Sequence, residues 1–196
     1  MFFLSKYKLF LDCAYKTLNI IILEMKTNAV VDELSIGVEQ NLTELAVYYL
    51  ETMLTKNKLK KSSIKQFYVT IGPGSFTGQR IATIIAKSWC LLYPSCELYA
   101  LNSLRFQIPY EHGISKISCG NDQNYCGLYS QTTSEIKLIS KADFVKLCKA
   151  NNELPMYENF ENIESYSKLL LSNIDHFERI EDPLTLQPIY LKDPVN

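Results

Sequence analysis

The run YVTIGPGSFTGQRIATIIAKSW, Tyr68 to Trp89, holds three of the chain's seven glycines and joins a β-branched stretch directly to a helical pattern. A strand that enters a helix through a tight glycine turn forces layered α/β packing, with the helix laid on the sheet that the strand joins. Two tasks are open to such a turn: it can cradle a phosphate at the helix N-terminus, or it can only aim the helix. A Walker loop needs Gly-x4-Gly-Lys-Ser/Thr, so that the lysine reaches the phosphates and the hydroxyl binds Mg²⁺. Here five residues separate Gly72 from Gly78, and Gln79 follows. A dinucleotide loop needs G-x-G-x-x-G, whereas Gly72, Gly74 and Gly78 give G-x-G-x-x-x-G. The mechanical reading fits better: Pro73 fixes one φ, Gly74 supplies the turn, and Ser75 or Thr77 caps the helix.

Two helical segments carry more apolar surface than one sheet face can cover. In Asn41–Thr55, Leu42, Leu45, Ala46, Tyr49, Met53 and Leu54 fall at helical spacing, while Val47, Tyr48 and Leu50 widen the arc. Asn41 with Glu44 fits a capping box. From Gln79 to Leu92 the clearly polar side chains are Gln79, Arg80, Thr83, Lys87 and Ser88. Ala82 and Ala86, four apart, leave a shallow strip that would admit another helix backbone.

The rest of the chain sets these helices in two α/β lobes, 1–103 and 104–196. KLFLDCA and LNIIILEM read as a hairpin, followed by strands in VDELSIGVE, QFYVTIG and CELYALNS. A second group of strands lies in KISCGND, YCGLYSQ and EIKLIS. A helix over SKADFVKLCKA is capped by Ser140 with Asp143 in its first turn, and a short helix lies near SKLLLS. The three prolines of PLTLQPIYLKDPVN bar a continuous helix there, and a return of this tail to the first lobe is left open.

Composition bounds the function. Lys6, Lys8 and Asp12 interrupt the apolar N-terminus before a signal or membrane segment is complete, so the cytoplasm is the expected compartment. Six cysteines without a CxxC pair read as reduced, mostly buried thiols. The two histidines, His112 and His176, are far apart in sequence, which gives a zinc site little to build on. A formal net charge of −1 supplies no field for nucleic acid. The local exception is Lys56, Lys58, Lys60, Lys61 and Lys65, read as a solvated loop at the negative end of a helix dipole, with RNA-backbone contact as the other reading.

GPGSFTGQRI resembles the GPGSFTGxRI signature of the TsaB (YeaZ) family, accessory proteins of threonylcarbamoyladenosine biosynthesis. KLFLDCAYKTLNIIIL is similar to that family's opening strand, Asp, turn and second strand, and PIYLKDP to its C-terminal PxYLR segment. The resemblance implies an actin/Hsp70-like ATPase (ASKHA) fold, with two related α/β lobes and the second reduced. It also implies a subunit that has lost catalysis and acts by binding. The expected partners are a TsaD-type paralogue, which transfers threonylcarbamoyl to N6 of the adenosine beside the anticodon in tRNAs reading ANN codons, and a TsaE-type ATPase. A homodimer is open to the chain when it is alone, tRNA is expected to be reached through the complex, and no membrane is expected. No intrinsic cofactor or metal is expected, and room is left for ATP or ADP at the level of the complex. The expected partner-binding residues are Leu45, Tyr48, Tyr49, Thr52, Ile81, Ile84, Ile85 and Ser88. The structural motif comprises Gly72, Pro73, Gly74, Ser75, Phe76, Thr77, Gly78 and Arg80. In this chain Gln40, Asn41 and Leu42 replace the family's His-Ser-Glu-type helix start.

Loss of catalysis is also argued from the residues. Asp12, at the end of the first strand, is followed by Cys13, Ala14, Tyr15 and Lys16, with no glycine for close backbone approach to a phosphate. Gly37, Gly113, Gly120 and Gly127 are isolated, so no second nucleotide loop can be assembled. Asp12 is expected to be a relic or a structural hydrogen-bonder, with a ligand to a metal-bound water as the other reading. The alternative class is a degenerate sugar- or acetate-kinase relative or a peptidase-like enzyme.

Overall fold

The computed structural model describes residues 6–38 and 41–192. The first sheet is built from β1 (Tyr7–Asp12), β2 (Thr17–Glu24), β3 (Val30–Gly37), β4 (Ile64–Thr70), β5 (Glu97–Leu101) and β10 (Glu178–Ile180). Their order across the sheet is β10-β5-β4-β1-β2-β3. β1, β2 and β3 form an antiparallel meander, with Leu11 opposite Ile20, while β1, β4 and β5 run parallel. Parallel neighbours need a crossover element. Two helices supply it: α1 (Leu42–Lys56) before β4, and α2 (Phe76–Leu92) between β4 and β5.

Strand alternation divides the core between the two faces of this sheet. Leu9 and Leu11 of β1 meet Ala46, Leu50 and Leu54 of α1 and Ile81, Ala82, Ala86 and Trp89 of α2 in one buried cluster. Phe10, between them, points the other way, towards Phe106, Phe177 and Leu170. That opposite cluster carries α3 (Ser103–Phe106) and α5 (Tyr166–Asn173). The second sheet has the order β8-β7-β6-β9, from β6 (Gly113–Ser118), β7 (Gln123–Tyr129), β8 (Ser134–Ser140) and β9 (Met156–Glu158). Its Ile117 and Tyr129 join the same opposite cluster, and α4 (Lys141–Ala150) covers Ile114 and Cys126 through Phe144. Ser140 caps α4 by accepting from Asp143 N at 3.0 Å.

The start of α1 differs from the sequence expectation. Asn41 lies in the left-handed region at φ 57° and its side chain makes no cap hydrogen bond, so the capping box with Glu44 is absent. A capping side chain needs extended backbone to reach back to the helix amides, and Asn is among the few residues that tolerate the left-handed alternative. Gln40, where the family's helix start departs, and Asp193 and Pro194 of PIYLKDP lie outside the described residues. Among the described residues no helix is long and apolar enough to cross a membrane.

Candidate functional site

The glycine turn is filled by the chain itself. A Cβ on Gly74 would run into the carbonyl oxygen of Ala14, and one on Gly78 into that of Cys13. Ser75 N donates to Ala14 O at 2.7 Å, and Ser75 Oγ caps α2 by accepting from Gly78 N at 3.2 Å. The first turn of α2 therefore sits directly on the β1–β2 turn, with carbonyl oxygens where a phosphate cradle would present donors. Gly72, at φ +90°, stands in a region that favours glycine and precedes a cis bond to Pro73. Its carbonyl accepts from Ser103 N at 2.7 Å, which ties the turn to α3. Thr77 is exposed on the first turn of α2, and Ser75 alone supplies the cap.

Asp12 is fully enclosed and satisfied by neutral donors. It accepts from Asn19 Nδ2 at 2.8 Å, from Ala14 N at 3.1 Å and from Thr70 Oγ1. Ser35 Oγ donates to Asn19 Oδ1 at 2.7 Å and so fixes the Asn19 amide with its NH₂ towards Asp12. Burial raises the Asp12 pKa, and the three hydrogen bonds offset only part of that rise.

The outer faces of α1 and α2 are the other feature. Tyr48 is 61% exposed and Ile84 60%, and Val47 and Leu91 are exposed with them. Thr52 and Ser88 are exposed small polar residues, while Leu45, Tyr49 and Ile85 are half-buried flanks packed against the core below. Ile81 departs from the expected partner face: at 8% exposure it belongs to the internal cluster. Ala82 and Ala86 are likewise wholly buried against the chain's own sheet. The shallow alanine strip is spent on bringing α2 close to β1 and β4, and offers nothing to another helix. Val47, Leu91 and Leu92 were missing from the expected face, because an apolar arc this wide does not reveal which edge turns outward.

The lysine run is largely engaged at home. Lys56 Nζ pairs with Asp32 at 3.0 Å, Lys61 pairs with Glu51, and Lys65 Nζ donates to Ser95 Oγ at 2.8 Å. Phe76, at the head of α2, meets the C-terminal tail and carries Arg80 over its ring. The Phe76 ring lies 5.0 Å from that of Tyr190, and the Arg80 guanidinium lies 4.8 Å over Phe76. His112 and His176, remote in sequence, line one cleft together, although no group of three His, Cys, Asp or Glu with metal-holding geometry occurs among the described residues.

Comparison with known proteins follows the same outline. Residues 37–174 match the family model described as TsaD, tRNA N6-adenosine threonylcarbamoyltransferase. A Mycoplasma pneumoniae protein, "Uncharacterized protein MG208 homolog", is 66% identical over the full length of both chains. Among solved structures, YeaZ from Pseudomonas aeruginosa superposes with a TM-score of 0.68 at 14% identity, covering 95% of this chain and all of that one. A crystal structure of a protein from the same organism, described as similar to peptidase YEAZ, gives 0.71 at 13% identity with the same coverage.

Proposed function

Because the chain belongs to the TsaD family and carries the YeaZ fold, which makes it a TsaB/YeaZ-type protein related to tRNA modification, we propose that it serves as a non-catalytic, partner-binding subunit. Its partner is a TsaD-type paralogue, joined by a TsaE-type ATPase. The assembly transfers threonylcarbamoyl to N6 of the adenosine beside the anticodon in tRNAs reading ANN codons. The complex works in the cytoplasm and reaches tRNA as a whole, with ATP or ADP bound at the level of the complex. Without its partner the chain covers the same face by homodimerising.

One observation carries this reading: two helices rooted in a single core turn Tyr48, Val47, Ile84 and Leu91 outward. Exposed apolar surface of this kind gains about 25 cal/mol for each Å² removed from water, and helices of another chain are the natural cover. Thr52 and Ser88 keep the approach shallow, while Leu45, Tyr49 and Ile85 buttress the face from beneath. Non-catalysis is supported by the other end of α2. The carboxylate that a nucleotide-using relative would turn towards a metal-bound water is committed to Thr70, Asn19 and Ala14. The glycines that would admit a phosphate admit Cys13 and Ala14 instead.

The test is co-purification with a TsaD-type partner and reconstitution of tRNA modification with and without this chain. Tyr48→Lys and Ile84→Glu, both at exposed positions, should leave the circular dichroism spectrum and melting temperature unchanged while abolishing co-purification and the stimulation of modification. Retention of the partner by the folded double variant would rule out this face as the interface. Modification proceeding equally without the chain would rule out the function.

A further inference from the structure

The chain's only two histidines line one polar cleft of about 280 Å³, bounded by the end of β5, the 130–134 turn and the 174–178 segment. Arg105 of α3 forms its inner wall and is only 6% exposed. Arg105 Nη1 donates to Ile108 O at 3.0 Å and to Asn173 Oδ1 at 3.1 Å, and the guanidinium lies 5.7 Å over the Tyr129 ring. Tyr129 is held in turn by its hydroxyl, which donates to Asn102 Oδ1 at 2.8 Å. The buried Nη2 has no hydrogen-bond partner, and Arg105 forms no ion pair among the described residues. His112 Nδ1 is a second orphaned buried atom on the same cleft. The Glu111 carboxylate on the rim acts on Arg105 without forming an ion pair with it, so the inward-facing guanidinium keeps an open donor that an anion in the cleft would fill.

The rim has the opposite sign. Glu111 and Glu178 are both exposed there; Glu111 reaches His176 Nε2 at 3.7 Å, and Glu178 makes no ion pair among the described residues. A plain anion would satisfy Arg105 and be repelled at the mouth, whereas a plain cation would do the reverse. A ligand carrying both charges a few ångströms apart matches both walls, and the volume of about 280 Å³ admits a small molecule of roughly nine heavy atoms. We propose that this cleft binds a small zwitterion of the α-amino-acid class, its carboxylate inward on Arg105 and its ammonium outward between Glu111 and Glu178. This site is separate from the α1–α2 face and does not depend on partner binding.

Having only two histidines makes the test direct, since each imidazole signal in the NMR spectrum of the full chain reports on the cleft. Glycine, L-alanine and L-serine are titrated, with acetate and methylammonium as half-ligands. At least one amino acid should shift both imidazole signals saturably, about tenfold more tightly than acetate or methylammonium. Glu178→Gln with Glu111→Gln, at exposed positions that leave the fold intact, should bring its affinity down to that of acetate. The proposal is overturned if no amino acid gives a saturable shift, if acetate binds as tightly as the best amino acid, or if the folded double variant binds it unchanged.

Discussion

The ring of Tyr190 packs on that of Phe76 with centroids 5.0 Å apart, joining the C-terminal PIYLKDP segment to the first residue of α2. Nearby, Ile189 N donates to Ile71 O at 2.8 Å, and Leu186 is buried in the cluster beneath α2. The tail thus straps the head of the helix that carries the proposed partner face. Tyr190→Ala removes the ring contact but leaves Leu186 in place. The expected loss is about 1 kcal/mol in chemical denaturation, with faster proteolysis of the tail.

The two motif glycines beside the β1–β2 turn differ sharply from a glycine elsewhere. Gly78→Ala drives a methyl group into the Cys13 carbonyl, backbone against backbone, where neither side can yield. Its cost should be about 3 kcal/mol or more, at the upper end for overpacking. Gly37→Ala meets nothing within 4 Å and should fall within about 0.5 kcal/mol of the parent. Urea melts of the two variants side by side check the contrast.

Neighbouring isoleucines on α2 separate the internal face from the external one. Ile81→Ala empties part of the buried cluster and should cost about 2–4 kcal/mol. Ile84→Ala, at an exposed position, should change stability by no more than about 0.5 kcal/mol. Equal losses in thermal melts of the two variants would contradict this orientation of the helix.

The strand, glycine turn and helix of residues 68–89 were legible because the punctuation is local: Pro73, Gly74 and Ser75 fix the turn wherever the chain goes next. What the glycines approach was not legible, since Cys13 and Ala14 lie some sixty positions upstream and meet Gly78 and Gly74 only through the parallel pairing of β1 with β4. The apolar excess of both helices could be read, but not its division into inner and outer faces. Ile81 and Ile84 are equally apolar, and only docking on β1 and β4 tells them apart. His112 and His176, far apart in sequence, come to line one cleft because β10 returns to pair with β5.

Asp12 should leave a signature in the pH dependence of stability. Burial raises its folded pKa above the ordinary 3.8, so between those two values the folded state holds the proton more tightly than the unfolded chain does. Its contribution is complete below the unfolded value and is lost as pH rises through the folded one. Asp12→Asn cannot titrate, and its amide faces the Asn19 NH₂ that Ser35 holds in place. The stability advantage of the parent over this variant should therefore shrink as pH rises from below 3.8 through the folded value. Denaturant melts across that window give the difference curve, and a gap that widens with pH would show that Asp12 is stabilised as the anion.

The six cysteines should react in two classes. Cys119 and Cys148 are half-buried, whereas Cys13, Cys90, Cys96 and Cys126 are buried. Burial raises the pKa of Cys119 and Cys148, so even these react more slowly at neutral pH than a free thiol, because the thiolate is the nucleophile. Cys126, pushed up to about 12 by burial, and Cys13, raised by the same cause, are withheld both by access and by protonation. A chromogenic disulfide should therefore titrate two thiols slowly in the native chain and all six after denaturation. Peptide mapping of the native product should find the label on Cys119 and Cys148. Rapid labelling of Cys90 or Cys96 instead would mean that the end of α2 opens from β5, and that the helix is less firmly seated than its buried Trp89 implies.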